Sequence, residues 1–263
     1  MAAAMHHPIT ESVLSARGLR KEFRGYTAVG GVDLDVRRGE IHALIGPNGA
    51  GKTTVFNLLT KFLVPTSGQI FLEGVDVTAE KPAALARRGL VRSFQISAVF
   101  PDLTVSDNIV VALQRACVSP LAFWRGRDRL GNVSGRINEL LGQVDLVAFA
   151  HTRAGDLPYG RKRALELATT LAAEPKVMLL DEPTQGLGHE DVDRVTALIK
   201  QAAIGRTVVM VEHNMKMVAR IADRISVLRR GEIIAEGTYE DVSRDPQVIE
   251  SYLGSRSHTE KKR

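Results

Sequence analysis

The stretch GPNGAGKTT, Gly46 to Thr54, constrains this chain more than any other. It matches the pattern G-x-x-x-x-G-K-[ST], and it lies between an apolar run, IHALI, and a segment of helical spacing, KTTVFNLLTKFL. Glycine-rich backbone can turn its N–H groups inward around phosphate oxygens, and a helix starting directly behind the loop adds the positive end of its dipole. Gly46, Pro47, Asn48, Gly49, Ala50, Gly51 and Thr54 would form the cradle. Lys52 would reach the β and γ phosphates, and the Thr53 hydroxyl would serve Mg²⁺.

A phosphate loop needs an acid to organise metal and water. In KVMLLDE four apolar residues read as a buried strand, and Asp181 emerges at its C-terminal end, where ligands of open α/β sheets collect. Glu182 follows directly and alternates to the other side. Asp181 is therefore expected in the Mg²⁺ shell, with Glu182 accepting a proton from the attacking water.

The remaining segments fit around these two motifs. Up to about residue 90 the chain is mostly strands, SVLSARGL, GVDLDV, EIHALIG and QIFLEG, bounded by glycine or charged turns. From about 79 to 156 the spacing turns helical, with Leu140, Leu141, Val144 and Val147 on one apolar face, which reads as a helical lobe set into the core. Beyond it helix 161–173, strand 176–180, helix 190–203, strand 207–211 and helix 214–222 alternate, the pattern of a parallel sheet covered by helices. No apolar stretch approaches the ~20 residues of a membrane-spanning helix. The start lacks a basic region followed by an apolar one, so a cytoplasmic chain is expected. The single Cys117 has no cysteine to pair with. A net charge of +5 favours anionic partners, although part of it sits in the tail RSHTEKKR.

Many phosphate-loop proteins share these features, and LPYGRKRALELA separates them. A glycine turn opening a helix shortly before the acidic strand resembles the signature segment of ABC ATPases. The resemblance implies that Leu157, Gly160 and Arg161 present backbone N–H groups, a helix dipole and positive charge to the γ-phosphate of ATP held by a second subunit. It further implies that Gln95, in VRSFQISAVFPDLTVSDNI, senses Mg²⁺ and water, that His213, in VVMVEHNM, touches the γ-phosphate, and that Phe23 stacks on adenine, with Tyr26 as substitute. Within the family the chain is similar to the ATP-binding subunits of branched-chain amino-acid importers, on LPYG, FQISAVFPDLTVSDNI, VEHNMKMV and the ending IIAEGTYEDVSRDPQVIESYLG.

The fold so implied is α/β: a P-loop NTPase of ABC type with a mainly parallel core sheet, an N-terminal antiparallel β subdomain and an inserted helical subdomain. One domain is expected over residues 13–254, between a flexible start at 1–12 and a flexible basic tail at 255–263. ATP and Mg²⁺ are the implied cofactors. The implied partners are membrane permease subunits, a second ATPase subunit and, indirectly, an external solute-binding protein, with the chain peripheral on the cytoplasmic face and no nucleic acid expected. The alternative is a soluble ABC ATPase acting on nucleic acid or the ribosome. Pro158, Tyr159 and Arg161 depart from the usual signature, and Gly188 replaces an aspartate usual after the catalytic glutamate.

Overall fold

The computed structural model of the chain describes residues 12–93, 99–117 and 133–253. Gln95, Ala98, the first eleven residues and the tail from 254 lie outside them. Strands β1 (Ser12–Phe23) and β2 (Tyr26–Arg37) form an antiparallel ribbon, turning at Arg24 and Gly25, which both take positive φ. With β4 (Ser67–Leu72) and β5 (Val75–Asp76) it makes a four-stranded antiparallel sheet in the order β2-β1-β4-β5.

The second sheet has six strands in the order β10-β9-β3-β8-β7-β6. Here β3 is Ile41–Ile45, β6 Leu90–Arg92, β7 Val177–Asp181, β8 Thr207–Val211, β9 Arg224–Arg229 and β10 Glu232–Gly237. All neighbours are parallel except the β9–β10 hairpin. Every residue of β3, β7 and β8 is buried, as nearly continuous apolar runs require when both faces of a sheet are covered. The two-residue alternation then divides these strands between two cores. Ala43, Ile45, Met178, Leu180, Val208 and Met210 enter one core with α5 (Tyr159–Leu171), α6 (His189–Ala202) and α7 (Met215–Ile221). Leu44, Val177, Leu179, Val209 and Val211 enter the other, beneath the antiparallel sheet and α1 (Lys52–Leu59).

Between β6 and β7 stand α3 (Val105–Cys117) and α4 (Val133–Gln143), while α2 (Pro82–Arg87) precedes β6. Within the stretch expected as an inserted helical lobe, about 79–156, β6 pairs with β7 in the core sheet; three residues are too few to show a period in the sequence. One expectation is corrected. Val147 does not continue the apolar face of Leu140, Leu141 and Val144: α4 stops at Gln143, and Val147 opens a 3₁₀ turn with 54% of its surface exposed. Helix α8 (Tyr239–Arg244), entered through a capping box between Thr238 and Asp241, and α9 (Pro246–Leu253) close the chain against β9 and β10.

Candidate nucleotide site

The loop from Gly46 to Gly51 joins β3 to α1 and takes the conformation its glycines permit. Gly46 has φ 149° and passes so close to the neighbouring strand that a Cβ would sit 2.1 Å from the Leu228 carbonyl oxygen. Gly51, at φ 102°, caps α1 with its own Cβ position 2.6 Å from Ala28 O. A side chain at either place would push the loop away from the sheet. Lys52 is buried, and its Nζ donates to Gly46 O at 2.8 Å and Pro47 O at 3.0 Å. Burial pushes its ammonium below the ordinary lysine value, and the Glu182 carboxylate pulls it back up. The same arch is braced from the far end of the chain: the Tyr252 phenol of α9 is pushed up by burial, opposed by a hydrogen bond to the Gly46 backbone.

Beside the loop opens a cleft of about 330 Å³ whose lining includes Asn48, Lys52, Thr53, Thr54, Glu182 and His213. Residues from the ends of β3, β7 and β8 therefore converge at the C-terminal edge of the parallel strands, where open α/β sheets take ligands. Tyr26 also lines this cleft. Phe23 stands at the end of β1, 42% exposed, with Lys21 Nζ 5.1 Å from its ring centre. The structure thus brings the substitute aromatic, Tyr26, to the loop.

The two adjacent acids have different surroundings. Asp181 is enclosed; Oδ2 accepts from Arg92 Nη2 at 2.5 Å, while Oδ1 is buried with no hydrogen-bond partner. Glu182 takes φ 47°, a left-handed backbone that costs a non-glycine residue of order 1 kcal/mol. That turn is held by Glu182 N–H donating to Val211 O at 2.9 Å, and it aims the carboxylate at the cleft. There its Oε1 lies 2.8 Å from His213 Nε2, a contact that needs the Nε2-protonated imidazole because a carboxylate only accepts. A buried Asp181 oxygen lacking a partner and an exposed Thr53 hydroxyl at the head of α1 suit a hard divalent cation. Among the described residues no group of three or more His, Cys, Asp or Glu gathers as an all-protein metal cage.

Glu212 escaped sequence reading. It follows β8 directly, almost fully buried, and accepts from Thr184 N–H at 2.9 Å, Thr184 Oγ1 at 2.5 Å, His213 N–H at 2.8 Å and Asn214 N–H at 2.9 Å. This one carboxylate ties the turn after Glu182 to the turn carrying His213. Its only sequence signal was a charge at the end of an apolar strand, immediately before a candidate histidine.

The signature segment is placed differently from its expectation. Leu157 is a core side chain, 4% exposed, so only its backbone can meet a ligand. The cations turn inward. Arg161 lies over the Phe149 ring, 3.9 Å from its centre, and donates to Asp145 O at 3.1 Å; Lys162 donates to Gly155 O at 2.7 Å; Arg163 pairs with Glu166 at 2.8 Å. Their work is to fasten the start of α5 to the preceding turns, because aliphatic stems near apolar surface and carbonyls outcompete an outward pose. Gly160 is buried against α6, and a Cβ there would meet Asp191 Oδ1 at 2.2 Å. Pro158, the exposed N-cap, and the first turn of α5 remain as the outward face.

Comparison with known proteins places the chain among relatives. Residues 29–185 match the family described as ABC transporter, and residues 232–258 match the family described as branched-chain amino acid ATP-binding cassette transporter. The high-affinity branched-chain amino acid transport ATP-binding protein BraF of Pseudomonas aeruginosa is 38% identical, over 94% of this chain and 99% of its own length. LivG of Salmonella typhimurium, named for the same role, is 37% identical over the same shares. Among solved structures, the ADP conformation of MJ1267, an ATP-binding cassette of an ABC transporter, superposes with a TM-score of 0.81 at 30% identity, covering 92% of this chain and 99% of that one. A nucleotide-free ATP-binding cassette from an ABC transporter gives 0.80 at 29% identity, covering 92% and 98%.

Proposed function

The chain belongs to the ABC transporter ATP-binding family, and from that premise we propose that it is the ATP-hydrolysing subunit of an importer for amino-acid-like solutes, branched-chain amino acids first among them. The observation that carries the chemistry is the cleft gathering Lys52, Thr53, Glu182 and His213 beside the glycine loop. The relatives support transport rather than action on nucleic acid or the ribosome. Among the described residues no helix is long and apolar enough to cross a membrane, so a permease has to supply the path.

In this reading the loop N–H groups and the α1 dipole hold the β and γ phosphates of ATP, and Lys52 adds a point charge. Its ammonium already sits among loop carbonyls, so the charge needs little movement to reach the phosphates. Glu182, aimed by its left-handed backbone, accepts the proton of the attacking water. His213 orients that carboxylate through its Nε2–H, and the same N–H, once released from Glu182, would be the donor to a γ-phosphate oxygen. Thr53 and Asp181 would hold Mg²⁺, which when bound neutralises charge on the phosphates. Gln95 is assigned to the same site on the family resemblance. Tyr26 or Phe23 would cover the adenine.

The second wall of each site would come from another ATPase subunit, through the backbone at Leu157–Gly160 and the N-terminus of α5. We place the permease contact on the segment between β6 and β7. There Phe100, 49% exposed, borders an open cleft of about 670 Å³ between α2, α3 and α5. The test is uptake of labelled leucine, isoleucine and valine by cells lacking this chain: wild-type protein should restore uptake and Lys52→Ala should not. Uptake that is normal without the chain would overturn the transport reading.

A further inference from the structure

Holding a metal does not account for the buried side of Asp181. Its Oδ2 is taken by Arg92 Nη2 at 2.5 Å, with the two side chains only 0% and 10% exposed. Arg92 ends β6, the strand beside β7, and sits in register with Leu179. Its other prong, Nη1, donates to Asn57 Oδ1 of α1 at 2.5 Å. The guanidinium lies 5.9 Å from the Phe56 ring centre and 5.7 Å from that of Phe62. It is thus a largely enclosed cation strung between the helix that carries the phosphate loop and the acid at the end of the neighbouring strand. Such a rigid two-pronged fork leaves the carboxylate little rotation. It also decides which oxygen stays available: Oδ1, buried and without a partner.

We propose that Arg92 is a positioning residue for ATP hydrolysis: it neutralises the buried charge of Asp181, fixes Oδ1 as the oxygen available to Mg²⁺, and sets how strongly that acid attracts the ion. A unit positive charge in contact with the carboxylate opposes the approach of a second cation, and the opposition is large where water is excluded. Removing the charge should strengthen Mg²⁺ binding, while freeing the carboxylate to rotate should slow hydrolysis. The proposal rests on the ATPase reading above.

The test is a Mg²⁺ titration of a fluorescent, non-hydrolysable ATP analogue bound to the full chain, so that turnover plays no part. Arg92→Gln should bind the analogue in EDTA as wild type does, because Lys52 and the loop are untouched, and its Mg²⁺ midpoint should fall by about tenfold. Arg92→Lys, which keeps the charge and loses the fork, should hold the midpoint within about twofold of wild type. A merely structural arginine would lower the melting temperature in both variants and leave both midpoints in place, and that result overturns the proposal. Should Arg92→Gln fail to fold, adding Asp181→Asn removes the uncompensated charge and should restore folding; a double variant no more stable than the single one also overturns it. Wild-type protein that binds no ATP analogue would sink the nucleotide reading itself, and this inference with it.

Discussion

At the scale of single residues, the site depends as much on groups that hold reactive side chains as on the side chains themselves. Lys52, Asp181 and Glu182 were legible because each stands at a fixed place in a motif with a physical rationale. Glu212 and Arg92 were not, because their partners come from distant segments: Thr184 lies 28 positions before Glu212, and Asp181 lies 89 after Arg92. No local pattern records such separations. Glu212→Ala would strand four buried or half-buried donors, at a cost of roughly 3 kcal/mol. Thermal unfolding should show the loss directly. It should also weaken the Glu182 to His213 alignment, so phosphate release should fall further than the folded fraction alone accounts for.

At the scale of elements, the three central strands were readable from their unbroken apolar runs, and the helices that cover them from their spacing. IHALI and strand 207–211 stand where expected, and the ends of the other elements differ by one or two residues, the usual uncertainty of helix termini. The internal contacts of the cations at the start of α5 were not readable from their charge. Arg161, Lys162 and Arg163 spend their donors on Asp145, Gly155 and Glu166. The same geometry dictates how the subunit contact should be tested. Gly160→Asp would bring a second carboxylate onto Asp191 inside the chain and confuse folding with association. Pro158→Asp is cleaner: Asp is a preferred N-cap, so α5 should keep or gain stability, while in the proposed dimer the new carboxylate would stand against the γ-phosphate held by the second subunit. With ATP and Mg²⁺, in a Glu182→Gln background, size-exclusion chromatography should show a dimer that Pro158→Asp dissolves; a surviving dimer would remove this face from the interface.

At the scale of the whole molecule, two sheets meet over α1, and the second carries the reactive groups along one edge. Sequence reading reached this plan because glycine loop, acid strand and alternating helices each imply the same layering. It placed the inserted lobe less well, since β6 announces itself only by pairing. If that lobe carries the permease contact, Phe100→Ser should leave hydrolysis by the isolated subunit within about twofold, far below the loss from removing a catalytic base, and should uncouple it from solute uptake in the assembled complex. Hydrolysis of ATP in this cleft, with Glu182 as the base, is tested by measuring nucleotide binding and phosphate release side by side on wild type and Glu182→Gln. ATP affinity should stay unchanged while phosphate release falls by roughly 10²–10⁴; release at the wild-type rate would remove Glu182 from that role.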